Sequence, residues 1–70
     1  MKKFYIDEEE IDTVGEFLDI FADNLFAYTD YITEISGVKL DIIFEEMSNL
    51  LQVIEDGGKY GFNGITYKVE

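Results

Sequence analysis

The sequence contains neither cysteine nor histidine. Without cysteine, no disulfide or thiolate metal site can stabilise the fold. Without histidine, the chain lacks the commonest general base and the commonest zinc ligand. Stability must therefore come from packing, and the composition permits this because 47% of the residues are hydrophobic, among them six Phe and five Tyr. A chain of 70 residues with this composition is predicted to form a single domain spanning residues 1–70.

Positive charge is scarce. Five basic residues face 16 acidic residues, which gives a net charge of −11 at pH 7, and no Lys or Arg occurs between Lys3 and Lys39. Such a charge repels nucleic acid and anionic lipid, so we expect neither as a direct partner and expect any partner protein to be basic. No segment resembles a signal peptide or is long enough to cross a bilayer, which predicts a soluble, cytoplasmic protein.

Residues suited to catalysis are few. The only serines, Ser36 and Ser48, stand in no recognisable motif, and no histidine can activate them. Gly57-Gly58 lacks the features of a phosphate-binding loop, and "EDGGKYG" lacks the ligand spacing of an EF-hand. We therefore expect no enzyme activity, no cofactor and no metal site.

Local patterns predict the order β-α-α-β-β. "KKFYID" is typical of a short strand. Apolar residues spaced three and four apart predict a helix over 8–35, with Asp7 as its N-cap, Glu10 completing a capping box and Gly37 as its C-cap. A second helix is predicted over 39–55, and Asn63-Gly64 predicts a closing β-hairpin. The core seam expected on that second helix comprises Leu40, Ile43, Met47, Leu50 with Leu51, and Ile54.

The predicted fold class is α+β, with an antiparallel helix pair packed on a three-stranded antiparallel sheet. A helix over 8–35 would be about 42 Å long, whereas a compact chain of this size has a radius of gyration of about 11 Å. The helix must therefore break, project, or be covered by a second copy. Asp23-Asn24 and Thr29-Asp30 are weak helix formers, so we expect a bend or break between residues 23 and 30, with a homodimer as the alternative.

Six carboxylates form a line on the predicted first helix, at spacings of three, four, three, four and seven residues: Glu9, Asp12, Glu16, Asp19, Asp23 and Asp30. Their Cβ atoms would lie about 5–6 Å apart, close to the phosphate repeat of a nucleic-acid strand. The line is either a solvated helix face or a binding surface. Like charges at this spacing destabilise a helix, and a sequence selected only for stability would place lysines among them. None occurs, which favours the interpretation as a binding surface. Phe26 lies within the line, either as an interface anchor or turned into the core by a break.

A short chain, an acidic helix and a βααββ order resemble, as a class, the small acidic inhibitors of phages and mobile elements. These include anti-CRISPR proteins and DNA mimics that block restriction or uracil-repair enzymes. The resemblance implies a stoichiometric inhibitor, active in the host cytoplasm, that occupies a basic nucleic-acid-binding surface of an enzyme. Two alternatives stay open: an immunity protein or antitoxin that caps a basic toxin, and a small homodimeric structural or assembly protein. Both a monomer and a homodimer are compatible with the sequence.

Overall fold

Two helices pack against one face of a four-stranded antiparallel sheet in the computed structural model, which describes all 70 residues. Along the chain the elements are β1 (Phe4–Ile6), β2 (Glu9–Ile11), α1 (Val14–Ile32), α2 (Ser36–Asp56), β3 (Gly58–Phe62) and β4 (Ile65–Val69). The strands lie in the order β2-β1-β4-β3. The predicted α+β class is confirmed, but the prediction of three strands is wrong because β2 adds a fourth.

The acidic run at residues 7–10 forms a turn and a strand instead of the first turn of a helix. Asp7 and Glu8 both have positive φ angles, 48° and 73°, as the central residues of a type I′ hairpin turn require. β2 then pairs with β1, which lies between β2 and β4. The carboxylate of Asp7 accepts a hydrogen bond from the backbone N–H of Thr66 at 2.9 Å. The predicted N-cap at Asp7 and capping box with Glu10 are therefore wrong.

Helix α1 begins at Val14 and runs unbroken to Ile32. Its N-cap is Thr13, whose Oγ1 accepts a hydrogen bond from the backbone N–H of Glu16 at 3.1 Å. The predicted break between residues 23 and 30 is wrong. A helix of 19 residues is only about 28 Å long, and the molecule accommodates it by being elongated, with extents of 39 × 19 × 18 Å.

The connection between the helices is shorter than predicted. Thr33 is the C-cap of α1 because its backbone is extended, and its N–H donates to the carbonyl of Thr29 at 3.1 Å. α2 already begins at Ser36, so Gly37 lies in its first turn and the predicted C-cap at Gly37 is wrong. The hairpin at Asn63-Gly64 is confirmed: both residues have positive φ angles, and they join β3 to β4.

The hydrophobic core lies between α1, α2 and the sheet. Its central residue is Phe21, whose ring centroid is 4.9 Å from that of Tyr67 and 5.5 Å from that of Phe62. Phe17 extends the aromatic cluster to Phe4 on β1, at 5.2 Å between centroids. The complete set of buried hydrophobic residues is Phe17, Phe21, Leu25, Leu50, Phe62, Tyr67 and Val69. Because α1 supplies three of these seven, its opposite side is the part of that helix turned toward solvent.

Candidate functional site

Four of the six predicted carboxylates lie together on the solvent side of α1. At about 100° per residue, they span only about 60° around the helix axis. All four are exposed, and we call them the acidic face of α1: Glu16, Asp19, Asp23 and Asp30. The other two do not join this line, because Glu9 lies in β2 and Asp12 in the connection that follows it. The predicted line of six on one helix is therefore corrected to a line of four.

Most of the acidic face has no cationic partner. Asp30 forms a salt bridge with Lys39 at 2.9 Å, and the only other salt bridge in the molecule joins Lys68 to Glu70 at 3.1 Å. Glu16, Asp19 and Asp23 therefore stand without a lysine in contact. From Val14 to Asp56, the two helices and their connection carry ten carboxylates and one lysine.

The remaining lysines lie on the sheet side of the molecule or at its chain start. Lys2 donates to the carbonyls of Ile54 and Glu55 at the end of α2. Lys59 and Lys68 are directly opposite each other on β3 and β4, and the ammonium group of Lys68 lies 4.5 Å from the ring centroid of Tyr5. Positive charge is thus concentrated away from the acidic face of α1, which leaves the helical side strongly negative.

Phe26 is half exposed, at 50% of its full accessible surface. Since α1 is continuous, no break turns this ring into the core. At about 100° per residue, Phe26 lies about 20–60° around the helix from Asp19, Asp23 and Asp30. An apolar ring therefore borders the acidic face, and the alternative in which a break turns Phe26 into the core is wrong.

The solvent side of α2 carries an apolar stripe, two of whose residues were predicted from the sequence to face the core. Leu40, Phe44 and Leu51 are 52%, 67% and 51% exposed, and their spacing places them on one side of the helix. We call them the outer stripe of α2. Leu40 and Leu51 were predicted to face the core, whereas only Leu50 is fully buried and Ile43, Met47 and Ile54 are partly buried. The helix contains two rows of apolar residues, one through Ile43 and Leu50 and the other through the next residues, Phe44 and Leu51. Helical periodicity alone does not determine which row faces the core.

Exposed apolar side chains also occur where α1 ends and α2 begins. Four of them, which we call the tip, lie in the last turn of α1, the connection and the first turn of α2, and are 89%, 44%, 65% and 41% exposed: Tyr31, Ile32, Ile35 and Val38. Contiguous exposed apolar residues often mark protein interaction sites. Sequence reasoning missed the tip because Ile32 and Ile35 fit the three- and four-residue apolar spacing that predicted the helix over 8–35.

A cleft of about 430 Å³ opens between the C-terminal half of α1, the N-terminal half of α2 and strand β3. Its walls combine the rings of Tyr28, Tyr60 and Phe62 with the carboxylates of Glu45 and Glu46. The hydroxyl of Tyr60 donates a hydrogen bond to Glu46. Burial, with a smaller contribution from the neighbouring Glu45 carboxylate, raises the pKa of Glu46 above its usual range.

No protein family, curated protein or solved structure matches this chain. Neither helix is both long enough and apolar enough to span a bilayer. No group of three or more acidic side chains has the arrangement of a metal site. The surfaces to be explained are therefore the acidic face of α1, the outer stripe of α2, the tip and the cleft.

The raised pKa of Glu46 predicts that replacing Glu46 with Gln stabilises the protein near neutral pH. A carboxyl group with a raised pKa in the folded state contributes stability that is fully present below its ordinary pKa of 4.5. That contribution is lost as the pH rises through the folded-state pKa. The melting temperature of Glu46→Gln should therefore exceed that of the native chain at pH 7, and the difference should shrink toward pH 4.

Thermal melts of both chains across this pH range test the prediction. Glu34→Gln, at an exposed position in the connection, corrects for the general benefit of removing one negative charge from an acidic protein. An equal response of the two variants at every pH would contradict the effect assigned to Glu46.

Proposed function

We propose that this protein is a stoichiometric inhibitor that binds the basic nucleic-acid-binding surface of a host enzyme, in the manner of anti-CRISPR proteins and DNA mimics. One observation carries the proposal: Glu16, Asp19 and Asp23 form an exposed line on an unbroken helix and no lysine contacts them. Folding does not account for this arrangement, because like charges three and four residues apart destabilise a helix.

The continuity of α1 supports the proposal. Because three buried hydrophobic residues hold this helix against the sheet, the spacing of its carboxylates is fixed before any partner arrives. A preorganised surface loses less conformational entropy on binding than a flexible acidic segment does. Lysine and arginine side chains of a phosphate-binding groove would meet these carboxylates in charge-assisted hydrogen bonds.

Exposed apolar side chains on the helical side would supply the apolar component of a protein interface. Phe26 borders the acidic face, and the outer stripe of α2 lies on the solvent side of the neighbouring helix. Protein interfaces typically combine an apolar centre, in which aromatic residues are enriched, with a charged or polar rim. The phosphate backbone of nucleic acid carries no such apolar side chains, so they would give the inhibitor selectivity among basic enzymes.

The uneven charge distribution supports an oriented approach. The helical side carries most of the negative charge, whereas Lys59 and Lys68 lie on the sheet side. A charge distribution of this kind steers the helical side toward a positive surface and accelerates association at low salt. The proposal places this encounter in the host cytoplasm, where such enzymes act.

A competition experiment tests the proposed function. The protein would be titrated into purified CRISPR effector nucleases, restriction enzymes and uracil-DNA glycosylases, each with and without its nucleic-acid substrate. We expect saturable one-to-one inhibition of at least one enzyme, competition with the substrate, and affinity that falls as salt rises.

Two outcomes would count against inhibition by nucleic-acid mimicry. One is simultaneous binding of the protein and the nucleic acid to the same enzyme without interference. The other is tight binding to a basic toxin that has no nucleic-acid substrate, which would instead identify an immunity protein or antitoxin.

A further inference from the structure

We propose that the cleft between α1, α2 and β3 binds the side chain of an arginine that a partner protein presents. The proposal deepens the proposed function and rests on it for the basic nature of the partner. It concerns a surface separate from the acidic face of α1. Tyr28, on the α1 wall of the cleft, lies about 120–180° around the helix from the carboxylates of that face.

Aromatic rings form much of the wall of the cleft. The ring of Tyr28 packs edge-on against that of Phe62, at 5.1 Å between centroids. Tyr60 packs against Phe21 at 6.2 Å. Tyr28 and Tyr60 both line the cleft and are only partly buried, so their π systems are within reach of a group placed there. Aromatic rings attract cations through this π density, and arginine is the most frequent protein partner.

Two neighbouring carboxylates, Glu45 and Glu46, give the cleft its charge. Neither takes part in a salt bridge of the molecule. The hydroxyl of Tyr60 donates a hydrogen bond to Glu46 and so ties its carboxylate to the cleft wall. Burial, and to a smaller extent the charge of Glu45, raises the pKa of Glu46, which means that its ionised form is unfavourable in the free chain. A cation bound beside these two carboxylates would offset that cost.

The composition of the walls selects among classes of ligand. An anion would be repelled by both carboxylates. A purely apolar side chain would bury the carboxylates without a charged partner, which is unfavourable. A metal ion would find too few ligands, because no group of three or more acidic side chains has the arrangement of a metal site. An organic cation on an apolar stem matches both the rings and the carboxylates.

Arginine fits this cleft better than lysine does. Its planar guanidinium stacks on aromatic rings and forms paired hydrogen bonds with a carboxylate. The guanidinium is also less strongly hydrated than an ammonium group, so it is more easily brought into a partly buried site. Its methylene stem would pack along Ile32 and Ile42, the aliphatic residues of the cleft. A volume of about 430 Å³ gives room for one such side chain.

The surrounding charge favours the approach of a cation. Helix α2 carries five carboxylates and one lysine, and that lysine, Lys39, already pairs with Asp30. No lysine lines the cleft. A chain with a net charge of −11 attracts cations over its whole surface, however. A test must therefore distinguish binding in the cleft from this general attraction.

An NMR titration of the isotope-labelled chain with N-acetyl-arginine methylamide tests the proposal without any enzyme. At about 150 mM NaCl, where long-range attraction is screened, we expect saturable shifts of the backbone amides of Tyr60, Gly61 and Asn63, which border the cleft. The dissociation constant should be on the order of 1 mM. N-acetyl-citrulline methylamide has nearly the same shape and no charge, and it should bind at least about tenfold more weakly. The corresponding lysine probe should bind several-fold more weakly than the arginine probe.

The decisive variant is Glu46→Gln. The same replacement should stabilise the free chain at pH 7, so the fold is retained while the cleft loses a carboxylate at constant shape. Its affinity for the arginine probe should fall at least about tenfold, as expected for the loss of a charge-assisted hydrogen bond. Glu55→Gln is the matched control. Glu55 is exposed on the same helix but lies about 14 Å along it from Glu46, so this variant should bind within about twofold of the native chain.

Several outcomes would overturn the proposal. One is a set of shifts spread evenly over the cleft and the acidic face of α1, which would show only general attraction of cations. Others are equal binding of the citrulline or lysine probe, undiminished binding by Glu46→Gln, and equal weakening by Glu55→Gln. Failure of the proposed function is a separate result. An enzyme inhibited through the acidic face alone would leave the cleft amides unshifted by arginine, whereas arginine binding in the cleft would persist even if no tested enzyme were inhibited.

Discussion

Reversing Asp19 and Asp23 to Lys should weaken binding to the proposed target enzyme at least about 100-fold at physiological salt, equivalent to about 2.7 kcal/mol. The change removes two carboxylates from the centre of the acidic face of α1 and would place two ammonium groups opposite the lysines and arginines of the proposed basic surface. Close charge pairs across protein interfaces have coupling energies of about 1.5–7 kcal/mol, so the loss of two such pairs can exceed this threshold.

The same reversal should leave the fold intact. Asp19 and Asp23 are exposed and take part in neither salt bridge of the molecule. Replacing like charges at i and i+4 near Glu16 should change helix stability by only a few tenths of a kcal/mol. Calorimetric titration of the enzyme with each variant, alongside circular dichroism melts, separates lost binding from lost structure.

A matched control distinguishes a local contact from a general charge effect. Glu8→Lys with Glu10→Lys produces the same change in net charge on the exposed β1–β2 hairpin. This variant should lose only long-range attraction and bind within a few-fold of the native chain. Equal weakening by the two double reversals would show that net charge, and not the acidic face, determines affinity.

The elements that the sequence predicts well are those specified locally. Asn63-Gly64 dictates its turn through backbone preferences, so the hairpin could be placed from its residues alone. Strand β2 could not, because "EEI" has little intrinsic strand preference. It forms because the positive φ angles of Asp7 and Glu8 fold it back onto β1. The acidic run looked like the first turn of a helix because negative charge is also typical there.

In the candidate site, too, the features set by local sequence were predicted and those set by tertiary contacts were not. Helical periodicity was sufficient to place Glu16, Asp19, Asp23 and Asp30 on one face, because all four lie within the true helix. It could not exclude Glu9, which pairs with Ile6 in the β1–β2 ladder, or Asp12, which lies in the connection between β2 and α1. Asn24 counted as a weak helix former, yet its side chain donates to the hydroxyl of Tyr67 at 3.1 Å. Such a tertiary contact can offset a poor local propensity and keep the helix continuous.

Replacing Phe21 with Ala should destabilise the fold by about 3–5 kcal/mol, the usual loss for a buried Phe. Phe21 is fully buried and packs against Tyr60, Phe62 and Tyr67. Total stability near 0.05–0.15 kcal/mol per residue gives a chain of 70 residues about 3.5–10.5 kcal/mol in all. We therefore expect the variant to lose about a third or more of the total free energy of unfolding, as measured by urea titration followed by circular dichroism.

Phe44→Ala removes the same side chain from the outer stripe of α2, where Phe44 is 67% exposed. Its free energy of unfolding should stay within about 0.5 kcal/mol of the native value, as is usual for surface substitutions. A loss of stability comparable to that of Phe21→Ala would mean that the outer stripe is buried in solution. If the stability of the native chain also rose with protein concentration, the surface that covers the stripe would be a second copy of the chain. If Phe44 contributes little to folding, its ring is free to contribute to binding. Loss of affinity for the proposed target enzyme in the folded Phe44→Ala variant would then extend the proposed inhibitory surface from the acidic face of α1 to the neighbouring helix.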